Sequence, residues 1–105
     1  MNQKAQLRLL ILSVLERQPE HGYAIAQAIK TRSAGVLGAK EGNLYPALHL
    51  LEKDGLLSST EVNAGGRTRR EYRLTEAGHR ELGRARSEWH TQVQAVQSVL
   101  AGGHT

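Results

Sequence analysis

The sequence predicts an α+β fold, mainly helical, with one small β-hairpin and a long helix near its C-terminal end. Three observations carry this. Apolar residues recur at helical spacing in three segments before Gly55, they alternate with polar ones up to Leu74, and helical spacing then returns as far as Leu100.

In the first segment Leu7, Leu10, Ile11, Val14 and Leu15 share a face, which predicts a helix over Gln3–Arg17. Pro19 ends it, because the residue before a proline is pushed out of helical geometry. A second helix begins near Gly22, has an apolar stripe of Tyr23, Ile25, Ala26 and Ile29, and fades in a Gly- and Ser-containing loop over Thr31–Gly38. Asn43 suits the N-cap of a third helix, with Pro46 in its first turn, where no backbone donor is missed. Leu44, Leu48 and Leu51 line that helix, and Gly55 closes it as a left-handed cap. Ser58–Asn63 and Arg69–Leu74 then read as two strands around the turn-rich Asn63-Ala64-Gly65-Gly66. Thr75 caps the last helix, whose Leu82, Ala85, Trp89, Val93, Val96, Val99 and Leu100 form an apolar seam. Nothing in the short domain before it covers such a rod, so a second copy is expected to. The tail Gly102–Thr105 is expected to fray. Three helices, a hairpin and a trailing helix give the order of a winged helix-turn-helix. Residues 1–74 are expected to form the winged-helix domain, and 75–105 the dimerisation helix and tail.

Composition narrows the function classes. With no Phe and only four aromatic residues among 105, the core must come from Leu, Ile, Val and Ala. The net charge of +4 is local rather than uniform: seven basic residues face six acidic ones up to Ala64, and seven face four from Gly65 onward. Arg67, Arg69, Arg70 and Arg73 account for most of that excess, which favours a polyanionic partner. The absence of cysteine excludes disulfides and thiolate metal sites and suits a reducing cytoplasm. The N-terminus reads neither as a signal peptide nor as a membrane span. The five histidines show no metal-ligand spacing, and no catalytic triad or phosphate loop is present. The chain is therefore expected to be no enzyme and to need no cofactor.

Four motifs then carry a resemblance. His21-Gly22-Tyr23, Gly42-Asn43-Leu44-Tyr45-Pro46-Ala47-Leu48, Leu51-Glu52-Lys53-Asp54-Gly55-Leu56 and the run from Gly66 to Gly78 occur in order, and the chain resembles the PadR family of bacterial regulators. The length is similar to the short subfamily, in which a single C-terminal helix forms the dimer. The sequence departs from the family's pattern at Asn43, where Thr or Ser is usual, at Leu50, where Arg is frequent, and at Thr68, where Pro is common. No DNA contact is carried onto Leu50. The resemblance implies a repressor that binds a pseudo-palindromic operator in double-stranded DNA as a homodimer.

The candidate DNA-binding residues are Tyr23, Lys40, Asn43, Tyr45, Pro46, His49 and Lys53 around the third helix, and Arg67, Thr68, Arg69 and Arg70 in the wing. Asn can pair with adenine, Tyr and Lys with phosphate oxygens, and arginine forks with phosphates or a narrow minor groove. Alternation along the strand places Arg67 with Arg69 and turns Arg70 toward Tyr72. Tyr23 either bonds a phosphate or packs with its hydroxyl exposed, and Gly22 permits a tight helix entry. Dimerisation residues are Leu7, Leu82, Ala85, Trp89, Val93, Val96 and Leu100. Trp89 has two readings: a plain dimer-core residue, or, as the resemblance implies, one wall of a cavity for a flat aromatic effector. Two rival functions stand beside the regulator: a protein-interaction module whose basic wing docks an acidic partner, and a small-molecule sensor acting through Trp89.

Overall fold

The computed structural model describes residues 2–103. Residues 1, 104 and 105, the last two belonging to the tail expected to fray, lie outside the described residues. The elements run α1 (Gln3–Leu15), β1 (Glu20–His21), α2 (Gly22–Arg32), α3 (Glu41–Lys53), β2 (Leu57–Ala64), β3 (Arg67–Leu74) and α4 (Glu76–Leu100). This is the α+β architecture expected, with one addition. Glu20 and His21 pair antiparallel with Tyr72 and Glu71, so the hairpin becomes a three-stranded sheet in the order β1-β3-β2.

Each boundary has a local cause. Asn2 accepts a hydrogen bond from the Ala5 N–H at 2.8 Å and starts α1. At the end of α3 the Gly55 N–H reaches the Glu52 carbonyl and the Leu56 N–H reaches that of Leu51, both at 3.0 Å, with Gly55 at φ +78°. That is a Schellman closure, which only glycine enters without strain. α4 closes in the same way: Gly103 donates to the Ser98 carbonyl at 2.8 Å and Gly102 to that of Val99 at 3.1 Å. These two glycines, expected in a frayed tail, are instead the cap of the helix. The hairpin turns on Gly65 and Gly66 alone, at φ +59° and +79°, with Ala64 opposite Arg67. Two positive-φ residues are what a type I′ turn requires.

The start of α3 departs from expectation. Lys40, not Asn43, occupies the N-cap, and Asn43 lies in the first helical turn. Pro46 therefore falls in the second turn, where its missing N–H leaves the Gly42 carbonyl without its usual partner. The acidic Glu41 in the first turn suits the helix dipole, and that end needs no side-chain cap.

One core holds the molecule together. Ile11, Leu12, Ile25, Leu44, Leu48, Leu51 and Leu82 are its largest fully buried side chains, and Tyr72 joins them from β3. Leu82 and Ala85 of α4 belong to this core, so it runs across the boundary expected between residues 74 and 75. Burying each such Leu contributes roughly 1.5–3 kcal/mol. Long-range ion pairs brace the surface: Arg8 lies 3.6 Å from Asp54, joining α1 to the end of α3, and Arg86 lies 3.0 Å from Glu16, joining α4 to α1. Beyond Val93 every described residue of the last helix is exposed. The radius of gyration is 15.5 Å, against about 13 Å for a compact domain of this length.

The tightest joint lies where α3 ends and α4 begins. Thr75 donates its N–H to the Leu56 carbonyl at 3.1 Å and its hydroxyl to the Gly55 carbonyl at 2.7 Å, while accepting from the Gly78 N–H at 3.0 Å. A Cβ on Gly78 would meet the Leu56 oxygen at 2.1 Å, a backbone atom with no room to retreat. Gly78→Ala is expected to cost about 1–3 kcal/mol, the range for overpacking, whereas Gly83→Ala, which meets open space inside the same helix, is expected to stabilise by up to about 1 kcal/mol. Urea denaturation of both variants measures the difference.

The Arg86 guanidinium, by hydrogen bond and then by charge, holds the Glu16 carboxyl below its ordinary value of 4.5. A depressed carboxylate stabilises the fold above its unfolded pKa and loses that effect as the pH falls through the folded one. Arg86→Ala is therefore expected to lower the melting temperature at pH 7. The difference from the parent should shrink as the pH falls below the ordinary value of 4.5 and close once it passes the lowered value of the folded protein, which calorimetry across that window reads directly.

Candidate nucleic-acid interface

Helix α3 presents four faces, because successive side chains turn by about 100°. Leu44, Leu48 and Leu51 point into the core. Asn43, Pro46, Ala47 and Leu50 turn toward α1, where with Leu7, Leu10, Val36 and Leu37 they line a groove of about 780 Å³. Tyr45 and Glu52 turn toward the sheet. His49 and Lys53 face outward between these flanks, and Gly42 and Pro46 form the lip of the groove.

The structure thus divides the candidates on α3. Pro46, His49 and Lys53 are exposed along its outer side, Asn43 is exposed on the flank toward α1, and Lys40 is exposed at its N-cap. Tyr45 leans the other way, its ring over Gly22 so closely that a Cβ there would lie 2.7 Å from the phenol oxygen. Gly22 is bare because a tyrosine from α3 covers it, a reason beyond the tight helix entry expected. Tyr23 is exposed on α2; its ring stacks on His21, with centroids 6.4 Å apart, and its hydroxyl accepts from the Gln27 side chain at 2.7 Å.

The wing also divides. The register places Arg67 opposite Ala64 and Arg69 opposite Val62, so these two arginines share one face with apolar cross-strand neighbours. Among the described residues no ion pair or side-chain hydrogen bond engages either one. Thr68, Arg70 and Tyr72 occupy the opposite face. There Arg70 donates to the Ser59 hydroxyl at 3.0 Å and lies 3.5 Å from the Glu61 carboxylate. Ser59 in turn donates to Glu52 of α3 at 2.6 Å. Arg73 makes a weaker bond to Thr60 at 3.3 Å. Burial, and after it the nearby Glu52 carboxylate, push the Tyr72 phenol above its ordinary value of 10. Glu52, Ser59 and Glu61 surround Arg70 here, and the sequence motifs point to no role for them, although Glu52 lies within one.

The residues expected to join two copies separate just as clearly. Leu82 and Ala85 are buried in the chain's own core, so their area is already used and they offer nothing to a partner. Leu7 is half-buried and lines the groove beside α3. The same stripe of α4 then continues into the open: Trp89 is 37% exposed, Val96 57%, Val99 74% and Leu100 80%, with Val93 half-buried. Among the described residues no cluster of His, Cys, Asp and Glu could hold a metal ion, and no helix is long and apolar enough to cross a membrane.

Comparison with known proteins decides the family. The model of the PadR-like transcriptional regulator family matches residues 11–84. The chain belongs to that family. It is 40% identical over 106 residues to the transcriptional regulator Rv3488 of Mycobacterium tuberculosis, covering 98% of this chain and 96% of that protein. The crystal structure of smu.1704 from Streptococcus mutans superposes with a TM-score of 0.85 at 31% identity, over 97% of this chain and 92% of that one. The PadR of Bacillus subtilis, solved in complex with operator DNA, matches with a TM-score of 0.68 at 28% identity, over 74% of this chain and 45% of its own. The winged-helix fold and a place among transcriptional regulators follow for this PadR-like chain.

Proposed function

We propose that this protein binds a pseudo-palindromic DNA operator as a homodimer and represses transcription from it, acting as a binding protein and not as an enzyme. The observation that carries this reading is the pairing of an outward α3 edge with a wing whose Arg67 and Arg69 are engaged by nothing in their own chain among the described residues. An arginine pair on a two-residue glycine turn can approach a phosphate backbone closely, since no side chain at the tip intervenes. Gly42 and Pro46, short on the exposed side of α3, let that helix sit deep in a major groove, with His49 and Lys53 toward bases and phosphates. The DNA-bound state of the Bacillus subtilis relative supports the same use of this fold.

The open stripe of α4 supports the dimer. From Trp89 to Leu100 it exposes large apolar side chains in line with Leu82, whose half of the helix is covered. A second copy aligned along this stripe would cover it and set two α3 helices about one DNA turn apart. Trp89 gives the stripe a further use: two indoles facing across the axis would wall an apolar slot for a flat aromatic effector, whose binding would tilt the α3 pair and release the operator.

Selection of bound sequences from random duplexes is expected to return a two-fold related site. With roughly six to eight phosphates neutralised per dimer, log K against log salt should have a slope near −5 to −7. Replacing both Arg67 and Arg69 with Ala should flatten that slope and weaken binding by about 1–2 kcal/mol for each guanidinium removed. A flat salt response in the parent protein would favour the wing as a dock for an acidic protein. Sedimentation of Val96→Glu is expected to show monomers at concentrations where the parent is dimeric. If the indole slot exists, planar aromatics will quench Trp89 emission in the dimer and not in that monomer.

A further inference from the structure

The Arg70 side chain is the only arginine of the wing held to a carboxylate among the described residues, and the chain of contacts through it ends on α3. Arg70 Nη2 lies 3.5 Å from Glu61, its Nη1 donates to the Ser59 hydroxyl at 3.0 Å, and that hydroxyl donates to Glu52 of α3 at 2.6 Å. The register explains why these groups meet. Glu61 stands opposite Arg70 and Ser59 opposite Tyr72, so all four side chains share one face of the hairpin, with Tyr72 buried beneath them. The hairpin is anchored at its root, where Leu57 and Tyr72 are buried in the core and β1 pairs with Glu71 and Tyr72, and beyond Thr60 and Glu71 it continues as a two-stranded ribbon that can pivot on that root.

We propose that Arg70 is a positioning residue and no DNA ligand: with Ser59 and Glu52 it locks the wing at a fixed angle to α3. The inference rests on the DNA-binding reading and sharpens it, because it divides the wing arginines by role. Arg67 and Arg69 meet the nucleic acid, and Arg70 holds them in place. Both charge and geometry favour the division. A guanidinium already facing Glu61 has given up part of its attraction for a phosphate, and a charge-assisted bond from Arg70 to Ser59 orients the hydroxyl so that its proton goes to Glu52. Ser59 has one proton to give and gives it to α3. The relay therefore has a direction, from wing through hydroxyl to helix, that neither end supplies alone.

Ser59→Ala tests this without changing any charge, and Arg70→Gln tests the other end; Ser59→Thr keeps the hydroxyl and serves as the rescue. Operator titrations over a range of salt should show both broken variants weakened by about five- to thirtyfold, with the salt slope unchanged and Ser59→Thr near the parent. By contrast, removing one phosphate ligand from each protomer lowers the slope by about 1.8 per dimer, at 0.9 for each. A slope reduced by that amount in Arg70→Gln would make Arg70 a ligand and overturn the proposal. Unchanged affinity in Ser59→Ala would overturn it as well. Amide exchange in the free protein gives a readout that needs no DNA. Hairpin amides over residues 61–70 should exchange several-fold faster in Ser59→Ala and Arg70→Gln, with those of α1 and α3 unaltered. Equal hairpin exchange in parent and variants defeats the proposal whether or not the parent binds an operator. Loosened hairpins in a protein that ignores DNA would uphold the lock and defeat only the proposed function.

Discussion

The arrangement of this molecule depends on a few backbone atoms where α3 stops. The carbonyls of Gly55 and Leu56 both point at Thr75, and the first turn of α4 is pressed onto the Leu56 oxygen because Gly78 has no side chain. Chain entering the hairpin and chain leaving it are thereby tied at one point, with Leu57 opposite Leu74 immediately beyond. The consequence is geometric. The wing must spring from the end of α3, and α4 must start beside it and cross α1, where Leu82 and Ala85 complete the core. Arg8–Asp54 and Arg86–Glu16 brace the same corner from outside. Exposed pairs of this kind are weak singly, and their place is to hold an orientation the backbone has already set.

Much of this is legible in the sequence, for identifiable reasons. Gly55 and Thr75 are punctuation whose chemistry is local, and the leucine spacing of α3 survives any change of neighbours. What the sequence hides is long-range or very short. β1 is two residues, too few to show alternation, and exists only because Tyr72 and Glu71 offer it a free edge. Asn43 has the chemistry of a cap, yet the helix begins earlier since Glu41 suits the dipole and Leu44 must reach the core. The α4 stripe is visible as a stripe, but periodicity cannot say which neighbour covers which part of it. The first half lies on the core, and beyond Val93 every described residue of the helix is exposed. The wing's division is nearly within reach. A turn made by Gly65 and Gly66 alone fixes Ala64 against Arg67, and counting back sets Glu61 beside Arg70 and Ser59 beside Tyr72.

Net charge is a poor guide to where a polyanion would meet this surface. Of the basic side chains, Arg84 is gripped by Glu81 and Glu88 at 2.7 and 2.6 Å, Arg86 by Glu16, Arg8 by Asp54, and Arg70 by Glu61. Each such pair cancels in the far field and contributes little to attracting a duplex. Arg67 and Arg69 on the wing, by contrast, have apolar partners across the strand, and Lys40 and Lys53 stand exposed at either end of α3. The formal excess of +4 would look modest on a uniform sphere; with Arg8, Arg70, Arg84 and Arg86 each paired to a carboxylate, the free charge falls into an uneven pattern. That pattern depends on the acidic residues as much as on the basic ones. Removing Glu61 or Glu88 would raise the net charge and yet blur the contrast between the wing tip and the rest of the surface, so a more basic variant need not be a better ligand for DNA.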